Sequence, residues 1–204
     1  MHIAILGASG RTGRALARTA RAAGHDVTGI VRNPACTLPS GVTHAIADAY
    51  SSAEVTQAIR GADVVAYCIG PGPGTSETVM QDTIPPVLEA MQAAGVKRLV
   101  VVSASGPFDE PQDAWLLRKL AKPIVRRVFR TTFADLAAAD ALVQRSAVGW
   151  TILRPPQLTS KPGREGYRRS TRFGIRITRD DLALAMLDAI EDESSIGLTI
   201  SVAN

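Results

Sequence analysis

Short, unbroken apolar runs recur along the chain, most of them followed by a turn residue and then by a stretch with helical spacing. The first is Ile3 to Leu6, which suits a strand buried on both faces of a parallel sheet. Small helix-forming residues follow (Ala15, Leu16, Ala17, Ala20, Ala22, Ala23) until Gly24, a natural position just past a helix end. His25 to Val31 reads as the second strand, ending at Arg32-Asn33-Pro34, with Pro34 and Pro39 marking a loop. Val42 to Ala47 is the third, ending at Asp48. Ser51-Ser-Ala-Glu54 has the capping-box pattern of a helix start, and that helix runs to about Arg60 before Gly61 closes it. Ala62 to Tyr67 makes the fourth strand, about Glu77 to Ala94 a helix stopped by Gly95, and Arg98 to Val102 the fifth strand.

Phe108 to Arg130 departs from this rhythm. Leu116, Leu120, Ile124 and Val128 fall four apart, while Arg118, Lys119, Lys122, Arg126, Arg127 and Arg130 occupy much of the other side. Pro123 divides the stretch, so a basic insertion of two helical pieces is expected at about 107–131. A longer helix then reaches about Arg145, and Trp150 to Leu153 is a sixth strand halted by Arg154-Pro155-Pro156. Lys161 to Arg172 is a polar, glycine- and arginine-rich loop. Thr178 caps a final helix through Ile190, and Leu198 to Val202 is the last strand. Such alternation predicts an α/β fold: one Rossmann-type domain over 1–204, a doubly wound parallel sheet with helices on both faces.

Composition narrows this only in part. With 204 residues, 46% of them apolar, the chain fits one domain, and no apolar run approaches a membrane span. No signal-peptide pattern precedes the first strand, and Cys36 and Cys68 lack metal or CxxC spacing, so a reduced, cytoplasmic protein without a metal is expected. A formal charge of +4 favours anionic ligands in general. Aromatic content of 4% argues against base-stacking nucleic-acid modules, so no nucleic-acid partner is expected. Monomer and dimer both remain open.

The chemistry begins at the first turn. Gly7, Gly10 and Gly13 are spaced G-x-x-G-x-x-G between an apolar strand and an Ala-rich helix, with Ser9, Arg11 and Thr12 among them. Glycines let the backbone turn sharply and approach a ligand, and the free N–H groups and dipole of the helix meet a phosphate. After strand two, where an NAD-preferring site carries an acidic residue, the chain reads Val31-Arg32-Asn33. Arg32 is suited to fork onto a 2′-phosphate, with Arg11 approaching from the other side, which points to NADP(H). Asp48, followed by Ala49, is placed to accept from the adenine amino group, and Ile69-Gly70 to flank the adenine-side ribose. Cys68 reads as a small core residue, and His2, His25 and His44 as structural or exposed.

Gly7-Ala-Ser-Gly-Arg-Thr-Gly13, Val31-Arg-Asn-Pro34, Val100-Val-Val-Ser103, Gly149-Trp-Thr-Ile-Leu-Arg-Pro155 and Arg179-Asp-Asp-Leu-Ala183 together resemble the atypical short-chain dehydrogenase/reductases. Within them the chain is similar to the NmrA-like and biliverdin-IXβ/flavin reductase branch, over essentially all of its length apart from Phe108 to Arg130. The resemblance implies a Rossmann fold and NADP(H).

It also exposes a gap. The family's Tyr-x-x-x-Lys pair falls on Thr132 and Leu136, and none of Tyr50, Tyr67 and Tyr167 has a lysine four residues on. The flavin-reductase branch likewise lacks the pair, and carries a serine after strand five and a histidine after Pro-Pro. Here strand five ends Ser103-Ala-Ser105, with Ala104 an alternative match to that serine, and Pro155-Pro156 leads to Gln157. Ser103 and Gln157 are the candidate catalytic residues, with Ser103 and Pro155 beside the nicotinamide. Gln157 can hydrogen-bond a carbonyl but cannot supply a proton by titrating.

A flavin or quinone spreads the negative charge and takes its proton from solvent, so hydride transfer to a small-molecule electron acceptor of that type is expected. The alternative is an NADP(H)-sensing regulatory protein of NmrA-like type without turnover. A nucleotide-sugar epimerase fits worse, for want of the Tyr/Lys pair and a substrate domain. The basic stretch allows a solvated helix face, a contact to an acidic substrate or partner, or a membrane-surface element.

Overall fold

The computed structural model describes residues 1–72, 74–106, 127, 129–164, 166–169 and 176–204. Seven strands form one sheet: β1 (His2–Leu6), β2 (Asp26–Val31), β3 (Thr43–Ile46), β4 (Val64–Tyr67), β5 (Arg98–Val102), β6 (Gly149–Arg154) and β9 (Leu198–Ser201). Their order is β3-β2-β1-β4-β5-β6-β9 and every pairing is parallel. The strand order reverses between β1 and β4, which opens a crevice at the carboxyl ends of those strands. The basic stretch expected at about 107–131 lies outside the described residues except for Arg127 and 129–131.

Unbroken apolar runs make β1 and β4 the sheet's centre, because only a strand covered on both faces can bury every side chain. Ile3 to Leu6 and Val64 to Tyr67 are all buried. Helices α1 (Arg11–Ala22) and α5 (Arg179–Glu191) cover one face, packing Leu16, Ala20, Leu182 and Met186 against Ile3, Ile5 and Val100. Helices α2 (Ser52–Ala58), α3 (Val79–Ala94) and α4 (Arg130–Gln144) cover the other, where Val55, Ile84, Met91 and Leu136 meet Leu6, Val65 and Val101. Pro85 and Pro86 sit inside α3 without ending it; Pro85 is exposed, so the carbonyl that its missing N–H would have bonded can meet water.

The expected elements are present with shifts at their ends. The α2 helix stops at Ala58 rather than near Arg60. Ser51 Oγ does accept from Glu54 N (3.3 Å), but Glu54 Oε2 takes Asp48 N (2.9 Å), because Ser51 N already donates to Asp48 O (2.9 Å). Two short strands were not expected, β7 (Gln157–Thr159) and β8 (Arg176–Thr178), which pair in parallel as a separate ribbon.

At the amino ends of the strands one guanidinium ties four elements together. Arg98 Nη1 donates to Gly149 O (2.8 Å), and Nη2 to Thr151 Oγ1 (2.7 Å), Ala189 O (2.6 Å) and Ser195 Oγ (2.8 Å). Burial lowers its pKa, with Asp192 and Glu193 opposing. Replacing Arg98 with Met leaves those acceptors without their donor, so a loss of about 2–3 kcal/mol is expected. Urea denaturation should show it as a lower midpoint with nucleotide affinity preserved.

Candidate functional site

The first turn is built by close approach. Gly7 has φ +77°, and a Cβ there would stand 3.0 Å from the backbone of Cys68. A Cβ on Gly13 would lie 2.4 Å from Gly7 O and 2.8 Å from Ala8 Cα, so only glycine lets α1 start directly against the end of β1. Gly10 is the N-cap of α1 and offers no side chain; its own N donates to Gly7 O (3.0 Å). The next amides, at Arg11, Thr12 and Gly13, have no acceptor within the helix, and no acidic residue stands in its first turn.

Three other helix starts are filled. Ser51 caps α2 and Thr178 caps α5, where Asp180 and Asp181 also stand in the first turn. For α3 the cap comes from another helix: Asp135 of α4, 1% exposed, accepts from Met80 N (3.1 Å) and Gln81 N (2.7 Å). Burial raises the Asp135 pKa, with these two amides pulling it back. Of the five described helices, α1 and α4 start with no side-chain cap and no acid in the first turn, and of these two only α1 starts in the glycine turn at the end of β1.

Beside that end lies a cavity of about 150 Å³ lined by Gly7, Ser9, Arg32, Asp48, Ala49 and Ile69 among others. Ligand pockets commonly run to about 300–1,000 Å³, so this space suits one heterocycle, with the rest of a dinucleotide extending along the glycine turn. Six predicted residues are thus gathered from four separate loops. Arg32 is exposed, and no carboxylate pairs with it among the described residues. Asp48 Oδ1 accepts from Tyr50 N (3.2 Å). Gly70 follows Ile69, half-buried, outside the lining.

Tyr50, Thr75, Val79 and Thr83 also line the cavity and were not anticipated. Thr83 sits there with its Oγ1 bonded to the Tyr67 hydroxyl. Tyr67 is wholly buried, which pushes its phenol well above the usual range and fits it to packing rather than proton transfer. Burial likewise pushes the Cys68 thiol up to about 12.

Of the residues expected beside the nicotinamide, Ser103 and Pro155 stand at the ends of β5 and β6. Ser103 N donates to Leu153 O (2.8 Å), and Ser105 N to Pro155 O (2.9 Å). Ser103 is 6% exposed and Pro155 is buried. Behind Ser103 stands Asp140, 2% exposed, whose Oδ2 accepts from Arg154 Nε (3.1 Å) and Nη2 (3.0 Å). Burial raises the Asp140 pKa, opposed by the Ser103 hydroxyl and Arg154. Thr132 and Leu136, at the positions of the missing Tyr/Lys pair, lie on α4, with Leu136 in the core.

Gln157 is exposed at the start of β7, its Oε1 accepting from Arg176 Nε (3.2 Å). The ribbon it belongs to hangs on Asp181, which accepts from Arg164 N (3.0 Å), Gly166 N (3.2 Å) and the Thr178 hydroxyl (2.6 Å). The three histidines take the bland roles expected. His2 bonds Thr28 and Gly61, His25 meets Glu191, and His44 is exposed beside Cys36.

A family model described as NAD(P)H-binding matches residues 7–193. Among curated relatives, an uncharacterized protein of Mycobacterium tuberculosis is 29% identical over 196 residues; the match covers 83% of this chain but 23% of that protein, so the chain spans about a quarter of its length. UPF0659 protein YMR090W of Saccharomyces cerevisiae is 29% identical, with 100% of this chain and 93% of the relative covered. Solved structures of the same fold include a wide-type short-chain dehydrogenase/reductase of Veillonella parvula in complex with NADP. Its TM-score is 0.74 at 21% identity, covering 100% of this chain and 94% of that one. SP1627 of Streptococcus pneumoniae, named for an inferred NADH-flavin reductase activity, has a TM-score of 0.80 at 21% identity, covering 100% and 99%.

The Asp181 hub sets a pH dependence. Burial acts to raise its pKa, but the bonds from Thr178, Arg164, Gly166 and Asn204 prevail and hold it below the ordinary carboxylate range. Its contribution is therefore complete above an unfolded pKa near ~3.9 and is lost as pH falls through the lower folded value. Asp181→Asn should cost about 1–3 kcal/mol at neutral pH and flatten the acid limb of stability against pH. Denaturation followed by tryptophan fluorescence between about pH 2 and pH 7 checks this; an unchanged acid limb would refute the assignment.

Proposed function

The chain belongs to the NAD(P)H-binding family, and on that premise we propose that it is an NADPH-dependent oxidoreductase passing hydride to a small conjugated acceptor of flavin or quinone type. The observation that carries the reading is the uncapped, acid-free start of α1 opening beside a cavity whose lining includes the exposed Arg32, which no carboxylate pairs among the described residues. In this reading the amides of Arg11 to Gly13 hold the pyrophosphate and Arg32 reads the 2′-phosphate, while Asp48, Ala49, Ile69 and Gly70 surround the adenosine. Ser103, Pro155 and Gln157 lie at the nicotinamide end.

NADPH, when bound, supplies the hydride; the protein's share is placement and the exclusion of competing geometries. Thr132 and Leu136 stand where a Tyr/Lys pair would donate a proton, and Gln157 does not titrate. An acceptor that delocalises its charge and takes its proton from water fits such a site better than an isolated ketone. The flavin acceptor in the name of SP1627 agrees with the proposed acceptor, and the NADP held by the Veillonella protein with the proposed nucleotide, while SP1627 is named for NADH.

Purified protein should oxidise NADPH with at least one member of a flavin and quinone panel. Binding of NADPH without turnover on any acceptor would instead support a nucleotide-sensing role. Arg32→Glu should weaken NADPH about tenfold or more, the scale of a lost charge-assisted bond, while shifting NADH far less. Equal loss for the two nucleotides, measured by fluorescence titration, would remove Arg32 as the phosphate reader.

A further inference from the structure

Among the described residues, two buried polar atoms at the end of β5 have no hydrogen-bond partner, Ser103 Oγ and Asp140 Oδ1. They belong to one cluster. Register pairs Val102 with Leu153, and the ladder continues one step through Ser103 N to Leu153 O. That step sets Ser103 beside Arg154, on the sheet face of Val101 and Ile152 that α4 covers. Arg154 grips Asp140 through Nε and Nη2, both on Oδ2, so the second oxygen is left over on the buried side, toward the serine. A buried carboxylate oxygen without a donor is costly, and a turn of the Ser103 side chain about χ1 would bring its hydroxyl into reach to supply one.

Resting on the NADP(H) reading above, we propose that Asp140 is a positioning residue: fixed by Arg154, it draws the Ser103 proton inward, so that Ser103 meets the cofactor as a hydrogen-bond acceptor and orients the carboxamide N–H of the nicotinamide. The polarity follows from the inventory of groups. Arg154 only donates and an ionised Asp140 only accepts, so the serine beside it spends its one proton on Asp140 and turns its lone pairs to the ligand. Ser103 is then unavailable as a donor to the electron acceptor's carbonyl. Asp140→Asn inverts the arrangement: the amide oxygen faces Arg154, its NH₂ donates to Ser103, and the serine proton points at the carboxamide donor it should receive.

The test compares calorimetric binding of NADP⁺ with that of 2′,5′-ADP, which lacks the nicotinamide half. Ser103→Ala and Asp140→Asn should each weaken NADP⁺ about five- to tenfold, the scale of one hydrogen bond, and leave 2′,5′-ADP within about twofold. The two effects should overlap in the double variant rather than multiply. Ser103→Thr, which keeps the hydroxyl, should bind NADP⁺ as the parent does. An unchanged ratio of the two affinities in Ser103→Ala overturns the proposal, and an equal loss for both ligands in the variants reduces Asp140 and Ser103 to structural roles and overturns it as well. Should Asp140→Asn fail to fold, Ser103→Ala and Ser103→Thr decide between the same outcomes. If the parent protein binds neither ligand, the cofactor reading itself is wrong and this inference goes with it.

Discussion

The structure depends on how closely α1 can start against the end of β1. With 2.4 Å between Gly7 O and the position of a Cβ on Gly13, any side chain there would drive the helix away from the sheet. Its amino end would then no longer open onto the crevice where the strand order reverses. The buried centre of the sheet and the left-handed turn at Gly7 serve the same end. Together they hold a row of backbone N–H groups at a fixed place with nothing of the protein's own to bond.

That open helix start gains meaning from its neighbours. A polypeptide tends to satisfy buried backbone donors, and here it does so at α2 with Ser51, at α5 with Thr178, and at α3 with a carboxylate from a different helix, Asp135. Leaving the α1 start open, with Arg32 exposed in the lining of the neighbouring cavity, puts unmatched positive charge at the crevice. At the ends of β5 and β6, Ser103 and Asp140 are buried while Gln157 is exposed.

Much of this was legible from the chain. The unbroken apolar runs of β1, β4 and β5 and the glycines at helix ends placed the strands of the parallel sheet, because burial on both faces leaves a plain mark on sequence. Six of the expected residues also meet around one cavity, since each lies just after a strand. What sequence did not show depends on loops folding back or on long-range pairing. Tyr50 and Thr75 reach the cavity from connections with no period, and Val79 from the first turn of α3. Asp140 and Arg154 are 14 residues apart on a helix and a strand, and Arg154 reads locally as nothing more than the end of β6. The β7–β8 ribbon escaped because three-residue strands flanked by Pro155-Pro156 and a polar loop leave too short a pattern, and its anchor at Asp181 reads as a helix start.

The most direct measurement is a ¹⁵N spectrum of the full chain titrated with NADP⁺. Amide shifts are expected to concentrate at Ser9 to Gly13, Arg32, Ala49 and Ile69, with those of Arg11, Thr12 and Gly13 among the largest. Saturable binding that leaves the amides from Ser9 to Gly13 unmoved would contradict the assignment of the α1 amino end as the phosphate site.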